Sequence, residues 1–145
     1  MASLDCVFCG IVRGELPSYR VFEDDDVLAF LDIQPVTAGH TLVVPRRHVP
    51  DLLAMPDGMA GPLFIAVGRI ARAAARAHGA DGVNVLQASG GAAGQTVHHL
   101  HVHVVPRRSG DGLRLHIAPG AKADDAARMQ AEAARLAEAL AALDG

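Results

Sequence analysis

The sequence predicts an α+β domain built on an antiparallel sheet, and three observations predict it. The candidate elements run strands, helix, strands, helix; the connections between strands are short enough for hairpins; and no regular strand–helix alternation points to parallel crossovers. One central helix and one C-terminal helix should accompany the sheet. At 145 residues the chain has the length of one domain, and no repeat or linker divides 1–145. The hydrophobic fraction is 50%, yet there is no Trp, one Tyr and only four Phe, so the core has to be aliphatic.

The elements follow in order. "GELPSYR" (14–20) reads as a loop entering a short strand over Tyr19–Glu23, and "EDDD" (23–26) as a hairpin turn, because Asp favours turns. "VLAFLDI" (27–33) returns. After "QPVTAGH" (34–40) comes "TLVVP" (41–45), a strand that Pro45 ends. Gly61 and Pro62 suit a helix start, and Leu63, Val67, Ile70 and Ala74 recur at near-helical spacing. With Arg69, Arg72 and Arg76 on the wet face and Gly79 as the stop, the signals predict a helix over roughly 59–78. "GVNVLQAS" (82–89) and "VHHLHVHVV" (97–105) are the next strands, and residues 122–143 a last helix along Met129, Ala133, Leu136, Leu140 and Leu143.

A formal charge of −3 offers no global attraction to nucleic acid or to an anionic membrane. The longest apolar stretches, such as "LFIAV" (63–67), are too short to span a bilayer. "MASLDCVFCG" has neither the basic start nor the long apolar run of a secretory signal, which points to the cytoplasm. There the two cysteines, Cys6 and Cys9, suit metal or redox work better than a structural disulfide.

"GQTVHHLHVHVVPRR" (94–108) places four of eight histidines within six positions. In an extended strand at ~3.3 Å per residue, His99, His101 and His103 line one face about 7 Å apart. Leu100, Val102 and Val104 line the other, and His98 is a neighbour at the edge. His99 and His103 would then stand about 13 Å apart, too far to meet at one ion. At least one imidazole must do something other than bind metal. A neutral imidazole is a competent nucleophile, and attack at phosphorus gives a phosphoramidate that water can cleave. Just upstream, Gly94, Gln95 and Thr96 offer backbone N–H groups, an amide and a hydroxyl suited to phosphate oxygens, although a plain turn has the same composition.

"HLHVHVV" (99–105) is the signature of the histidine triad (HIT) superfamily, and the chain resembles its bacterial, Hint-like members. The likeness extends through "CVFCGIVRGELPS" (6–18) and "VFEDDDVLAFLDIQPVTAGHTLVVPRRH" (21–48). The resemblance implies a nucleotide hydrolase or nucleotidyl transferase, usually a homodimer whose antiparallel sheet runs across both protomers. The substrate implied is a purine nucleotide, as a nucleoside 5′-phosphoramidate or a related compound. His101 would be the nucleophile, the backbone carbonyl of His99 the acceptor that fixes its tautomer, and His103 the contact to phosphate and leaving group. Gly94, Gln95 and Thr96 fall at phosphate positions, Asp32 at the site of the two ribose hydroxyls, and Val7, Ile11, Phe30 and Ile33 at an apolar slot for the base. His40 matches a further histidine behind the active site. Ala88 is a departure: many Hint-like members have Asn there, and its loss removes a donor near the phosphate.

By itself the C-x-x-C pair at Cys6 and Cys9 is ambiguous between zinc, redox chemistry and two buried thiols. The resemblance, which here includes the galactose-1-phosphate uridylyltransferases, implies a zinc set of Cys6, Cys9, His48 and His99. Two thiolates and two imidazoles suit tetrahedral zinc and leave no open position, so the ion would be structural. No organic cofactor is expected. Arg46, Arg47, Arg107 and Arg108 read as solvated strand-end charges that could otherwise reach phosphate. Three other readings stay open: a dinucleoside polyphosphate hydrolase using the same nucleophile, a nucleotide-binding module with little catalysis, and a catalytic metalloenzyme.

Overall fold

In the computed structural model of the chain, residues 5–115 and 117–143 are described. They fall into two compact units divided between Leu113 and Arg114. The first opens with helix α1 (Val7–Val12), then strands β1 (Arg20–Glu23), β2 (Val27–Leu31) and β3 (Thr41–Pro45), helix α2 (Asp57–His78), and strands β4 (Gly82–Leu86) and β5 (Val102–Arg107). The second holds helix α3 (Ala126–Leu143). The five strands lie in the order β1-β2-β3-β5-β4, and every pairing is antiparallel. The α+β expectation stands.

Alternation in the strands assigns the two faces of the sheet. Val27, Ala29, Val43, Val102 and Val104 point to one face and pack on Leu63, Ala66, Val67, Ile70 and Ala74 of α2. Leu28, Phe30, Leu42 and Val44 point to the other and pack on Phe8 and Ile11 of α1. The β1–β2 turn is held by Asp24, whose carboxylate accepts from the N–H groups of Asp26 and Val27 at 2.8 Å each. Arg69 of α2 stands 5.1 Å over the ring of Phe22.

Several boundaries differ from the sequence reading. Helix α2 begins at Asp57, so Pro62 lies inside it and marks no start. Proline has no N–H for the Gly58 carbonyl four residues back, so the helix runs on without that one bond. Gly79 does end it, in the left-handed region at φ 57°. Strand β2 stops at Leu31, leaving Asp32 and Ile33 in the turn, and β4 stops at Leu86. Helix α3 starts at Ala126, where Asp125 accepts from the N–H of Arg128.

The start of β5 matters most. The β3–β5 ladder pairs Thr41 with Val104, Leu42 with His103 and Val43 with Val102. Continuing it would bring in Pro45, which has no N–H to give. Strand β5 therefore starts at Val102 instead of 97, and His99 and His101 precede it in irregular chain. The three imidazoles consequently do not share one strand face. Helix α1 was not foreseen at all: six residues are too few to show a period.

Candidate active site and metal cage

Two histidines of the segment, His99 and His101, are oriented by backbone carbonyls. His99 is completely buried, and its Nε2 lies 2.8 Å from the Pro45 carbonyl. His101 Nδ1 lies 2.7 Å from the His99 carbonyl. A carbonyl only accepts, so the facing nitrogen carries the proton and the neutral ring's other nitrogen is bare. His99 thus presents a bare Nδ1, and His101 a bare Nε2. His40 is set from the opposite direction: its Nδ1 accepts from the Val36 N–H at 3.2 Å. Its Nε2–H can then donate to His103 Nδ1, 2.9 Å away, which puts the His103 proton on Nε2. The two triad rings at the cavity are consequently different in kind. His101 offers a lone pair; His103 offers an N–H.

Burial works against protonation of His103, His99 and His40. It pushes His103 down from 6.5 to about 4, with His101 and His40 adding to the effect and Asp32 opposing it. His99 is also lowered to about 4, chiefly by burial. His40 is lowered by the same cause against the pull of Asp32, whose Oδ2 lies 3.5 Å from its Nε2. The other Asp32 oxygen accepts from the Gln34 N–H at 2.8 Å.

His101 and His103 line a cavity of ≈ 450 Å³ between α1, the end of β2 and the chain before β5. Val7, Ile11, Phe30, Asp32, Ile33 and Thr96, all expected at the site, line it too. Phe8, Leu16, Ser18, Gln34, Leu42 and Val97 were missed. Phe8 could have been found from "VFCGI", where 7, 8 and 11 share one helical side once a helix is granted. Its ring meets Phe30 edge-on at 5.4 Å and His101 at 5.2 Å. Gly10 lets that wall close, since a Cβ there would meet the Leu16 side chain at 2.7 Å.

Ala88, Gly94 and Gln95 do not line the cavity. Gln95 is buried, with Oε1 accepting from Gly90 N–H at 2.7 Å and Nε2 donating to the carbonyls of Pro50 and Val97. It braces the loop that presents Thr96. Three of the arginines are engaged elsewhere: Arg46 with Glu23 and the Asp24 carbonyl, Arg107 with Asp111 and Asn84, Arg108 with the His78 carbonyl; Arg47 is exposed. His98 is exposed.

Behind the triad, Cys6, Cys9, His48 and His99 converge, with all four ligand atoms within 4.8 Å of one another. His99 Nδ1 lies 3.5 Å from each sulfur and 3.2 Å from His48 Nδ1, which is 3.3 Å from Cys9 Sγ. Bonds of about 2.0–2.1 Å to nitrogen and about 2.3 Å to sulfur give a tetrahedron edges of about 3.3–3.8 Å. The spacing fits a metal cage, and the bare Nδ1 of His99 points into it. Burial, with Cys9 close by, raises the Cys6 thiol, a cost that a cation relieves. Asp32, His40 and His103 also cluster within 4.8 Å. That group is a hydrogen-bonded one, because the His40 Nε2 proton occupies the contact with His103.

A five-stranded antiparallel sheet ending in tautomer-fixed imidazoles beside a nucleotide-sized cavity defines a histidine triad protein. The sequence model of the HIT domain matches residues 13–110. Protein hit of Bacillus subtilis is 47% identical over 110 residues, covering 75% of this chain and 76% of that protein. Adenosine 5′-monophosphoramidase HNT1 of Candida albicans is 32% identical over 143 residues, 96% of this chain and 93% of that protein. Among solved structures, SMU.412c of Streptococcus mutans matches with a TM-score of 0.90 at 43% identity, covering 95% of this chain and 87% of that one. A Zn-bound histidine triad family protein of Mycobacterium smegmatis matches with a TM-score of 0.74 at 47% identity, covering 81% and 85%. The chain belongs to the HIT family.

Proposed function

We propose that this protein is a nucleotide hydrolase or nucleotidyl transferase that cleaves purine nucleoside 5′-phosphoramidates, or related nucleotides, at the α-phosphate through His101. The observation that carries the reading is the bare Nε2 of His101, fixed by the 2.7 Å contact of its Nδ1 with the His99 carbonyl and open to the cavity. The nucleoside's base lies in the slot of Val7, Ile11, Phe30 and Ile33, and its ribose hydroxyls donate to Asp32. Thr96 and the Nε2–H of His103 face the phosphate end, and Gln95 braces the loop that presents Thr96. His101 Nε2 forms the bond to phosphorus as the phosphorus–nitrogen bond to the amine breaks; water then cleaves the nucleotidyl-histidine. The developing positive charge on the imidazole is stabilised by its Nδ1–H on the His99 carbonyl. The similarity to a monophosphoramidase over nearly its whole length supports the choice of substrate.

The same reading takes 1–145 as one domain and Cys6, Cys9, His48 and His99 as holding a structural zinc ion, which ties the segments together and takes no part in the chemistry. A homodimer through β4 is part of it. That strand is a sheet edge, and Val85 on it and Phe64 and Ile65 on α2 are exposed. No described helix is long and apolar enough to cross a membrane, and a cytoplasmic location would keep the cage thiols reduced.

The test is a substrate panel of adenosine and guanosine 5′-phosphoramidates and dinucleoside polyphosphates, with acid-free trapping of the nucleotidyl-histidine adduct. Fastest turnover of phosphoramidates with label on His101 is expected. Dominant cleavage of polyphosphates would move the substrate class, and nucleotide binding without turnover of any of them would reduce the protein to a binding module. Sedimentation at low concentration tests the dimer.

A further inference from the structure

Helix α1 belongs to two sites at once. Cys6 caps it and Cys9 lies inside it, and both sulfurs point into the metal cage. Phe8 and Ile11, interleaved with them, form a wall of the cavity. A six-residue helix has no stability of its own in water. It is held by its two cysteines on one side and by the apolar contacts of Phe8 and Ile11 on the other. A second connection runs through His99. Its ring is a cage member, while its carbonyl holds His101 at 2.7 Å. The Phe8 ring closes the circuit, meeting His99 edge-on at 5.9 Å and His101 at 5.2 Å.

We propose, building on the nucleotide reading above, that the cage and the slot are thermodynamically coupled, so that a purine nucleoside monophosphate in the cavity tightens the cage's hold on its metal. Whichever ligand arrives first orders α1 and seats Phe8 between the two histidine rings, and the second no longer bears that ordering cost. Linkage makes the effect reciprocal: the metal strengthens nucleotide binding by the same factor. The cage then acts as a sensor of slot occupancy, and the metal is held most firmly while the enzyme is engaged with nucleotide.

The experiment uses the zinc-loaded full-length chain, titrated with a chromogenic chelator in the absence and presence of saturating AMP. AMP should raise the chelator concentration needed for half-extraction by roughly tenfold. AMP acting merely as a zinc ligand in solution would move it the opposite way. The dissociation constant of AMP for the metal-stripped chain should be weaker by the same factor, with circular dichroism confirming the fold. If stripping unfolds the chain, the chelator titration alone decides. Phe8→Leu, which keeps an apolar wall but loses the edge-on ring, should bring the factor toward one while zinc stoichiometry is kept. AMP that binds the loaded chain yet leaves the extraction curve unmoved overturns the coupling, and a full factor in Phe8→Leu overturns the part given to that ring. Failure of both AMP and GMP to bind the loaded chain overturns the nucleotide reading itself, and the coupling with it.

Discussion

The two faces of the sheet are built to different standards. On one, a 22-residue helix lays Leu63, Ala66, Val67, Ile70 and Ala74 across an aliphatic surface. On the other, a six-residue helix contributes Phe8 and Ile11, and much of the remaining surface opens into the cavity. The first face needs nothing but burial to form. The second carries a cysteine–histidine group spaced to hold a metal, carbonyl acceptors and a histidine–histidine hydrogen bond. Stability and chemistry are thereby separated across a sheet one residue thick, where neighbouring positions such as Val102 and His103 serve opposite ends.

Substitutions on either face should therefore fail in different ways. His101→Ala should lower turnover by about a thousandfold or more, the loss expected when a nucleophile is removed, with an unchanged thermal midpoint. Single-turnover assays beside calorimetry check both halves, and residual turnover near the wild-type level would contradict the assignment. Leu63→Ala on the opposite face should cost about 2–4 kcal/mol of stability and leave kcat/KM per folded molecule intact. Chemical denaturation and active-site titration measure these quantities together.

A smaller effect comes from pH. The unfolded His103 ring titrates near 6.5, while the folded ring refuses its proton down to about 4. Below 6.5 the unfolded chain binds a proton that the folded one does not, so this contribution is full above 6.5 and is lost as pH falls to about 4. After allowance for solvent screening it amounts to about 1–2 kcal/mol. Relative to His103→Gln, the wild type should lose stability as pH falls through that window and in that window alone; a constant difference would contradict it. Least of all, Asp32→Asn should raise KM by roughly tenfold for ribonucleotide substrates, the worth of one or two hydrogen bonds to a charged acceptor. It should also narrow the preference for ribo- over deoxyribonucleotides, which paired kinetics would show.

Much of the thick face was legible in the sequence, because α2 repeats its apolar seam over many turns and Gly79 marks its end. The thin face was legible only where residue chemistry spoke. Asp32, Phe30, Ile33 and His101 were placed at the site, and Cys6, Cys9, His48 and His99 were grouped, through resemblance to a family pattern. Spacing misled at 97–101, since alternation reports an extended backbone and says nothing of the neighbour that must complete the ladder. The missing N–H that ends β5 belongs to Pro45, more than fifty positions away. Gln95 was expected at phosphate and is turned inward because three backbone groups claim its amide, a competition that no local pattern reveals.

The protonation pattern of the site has a consequence for its tolerance to change. His99, His101 and His40 each take their orientation from a main-chain group: the carbonyls of Pro45 and His99 and the N–H of Val36. Every residue type but proline supplies the same N–H, and all supply the carbonyl. The side chain at Val36 can therefore vary without disturbing the orientation of His40, provided the path of the chain is kept, whereas His99 supplies a cage ring as well as its carbonyl. Keeping the Nε2 of His101 bare depends on a route through space more than on a roster of partners, and a library randomised at position 36 that excludes proline should retain more activity than one randomised at Asp32.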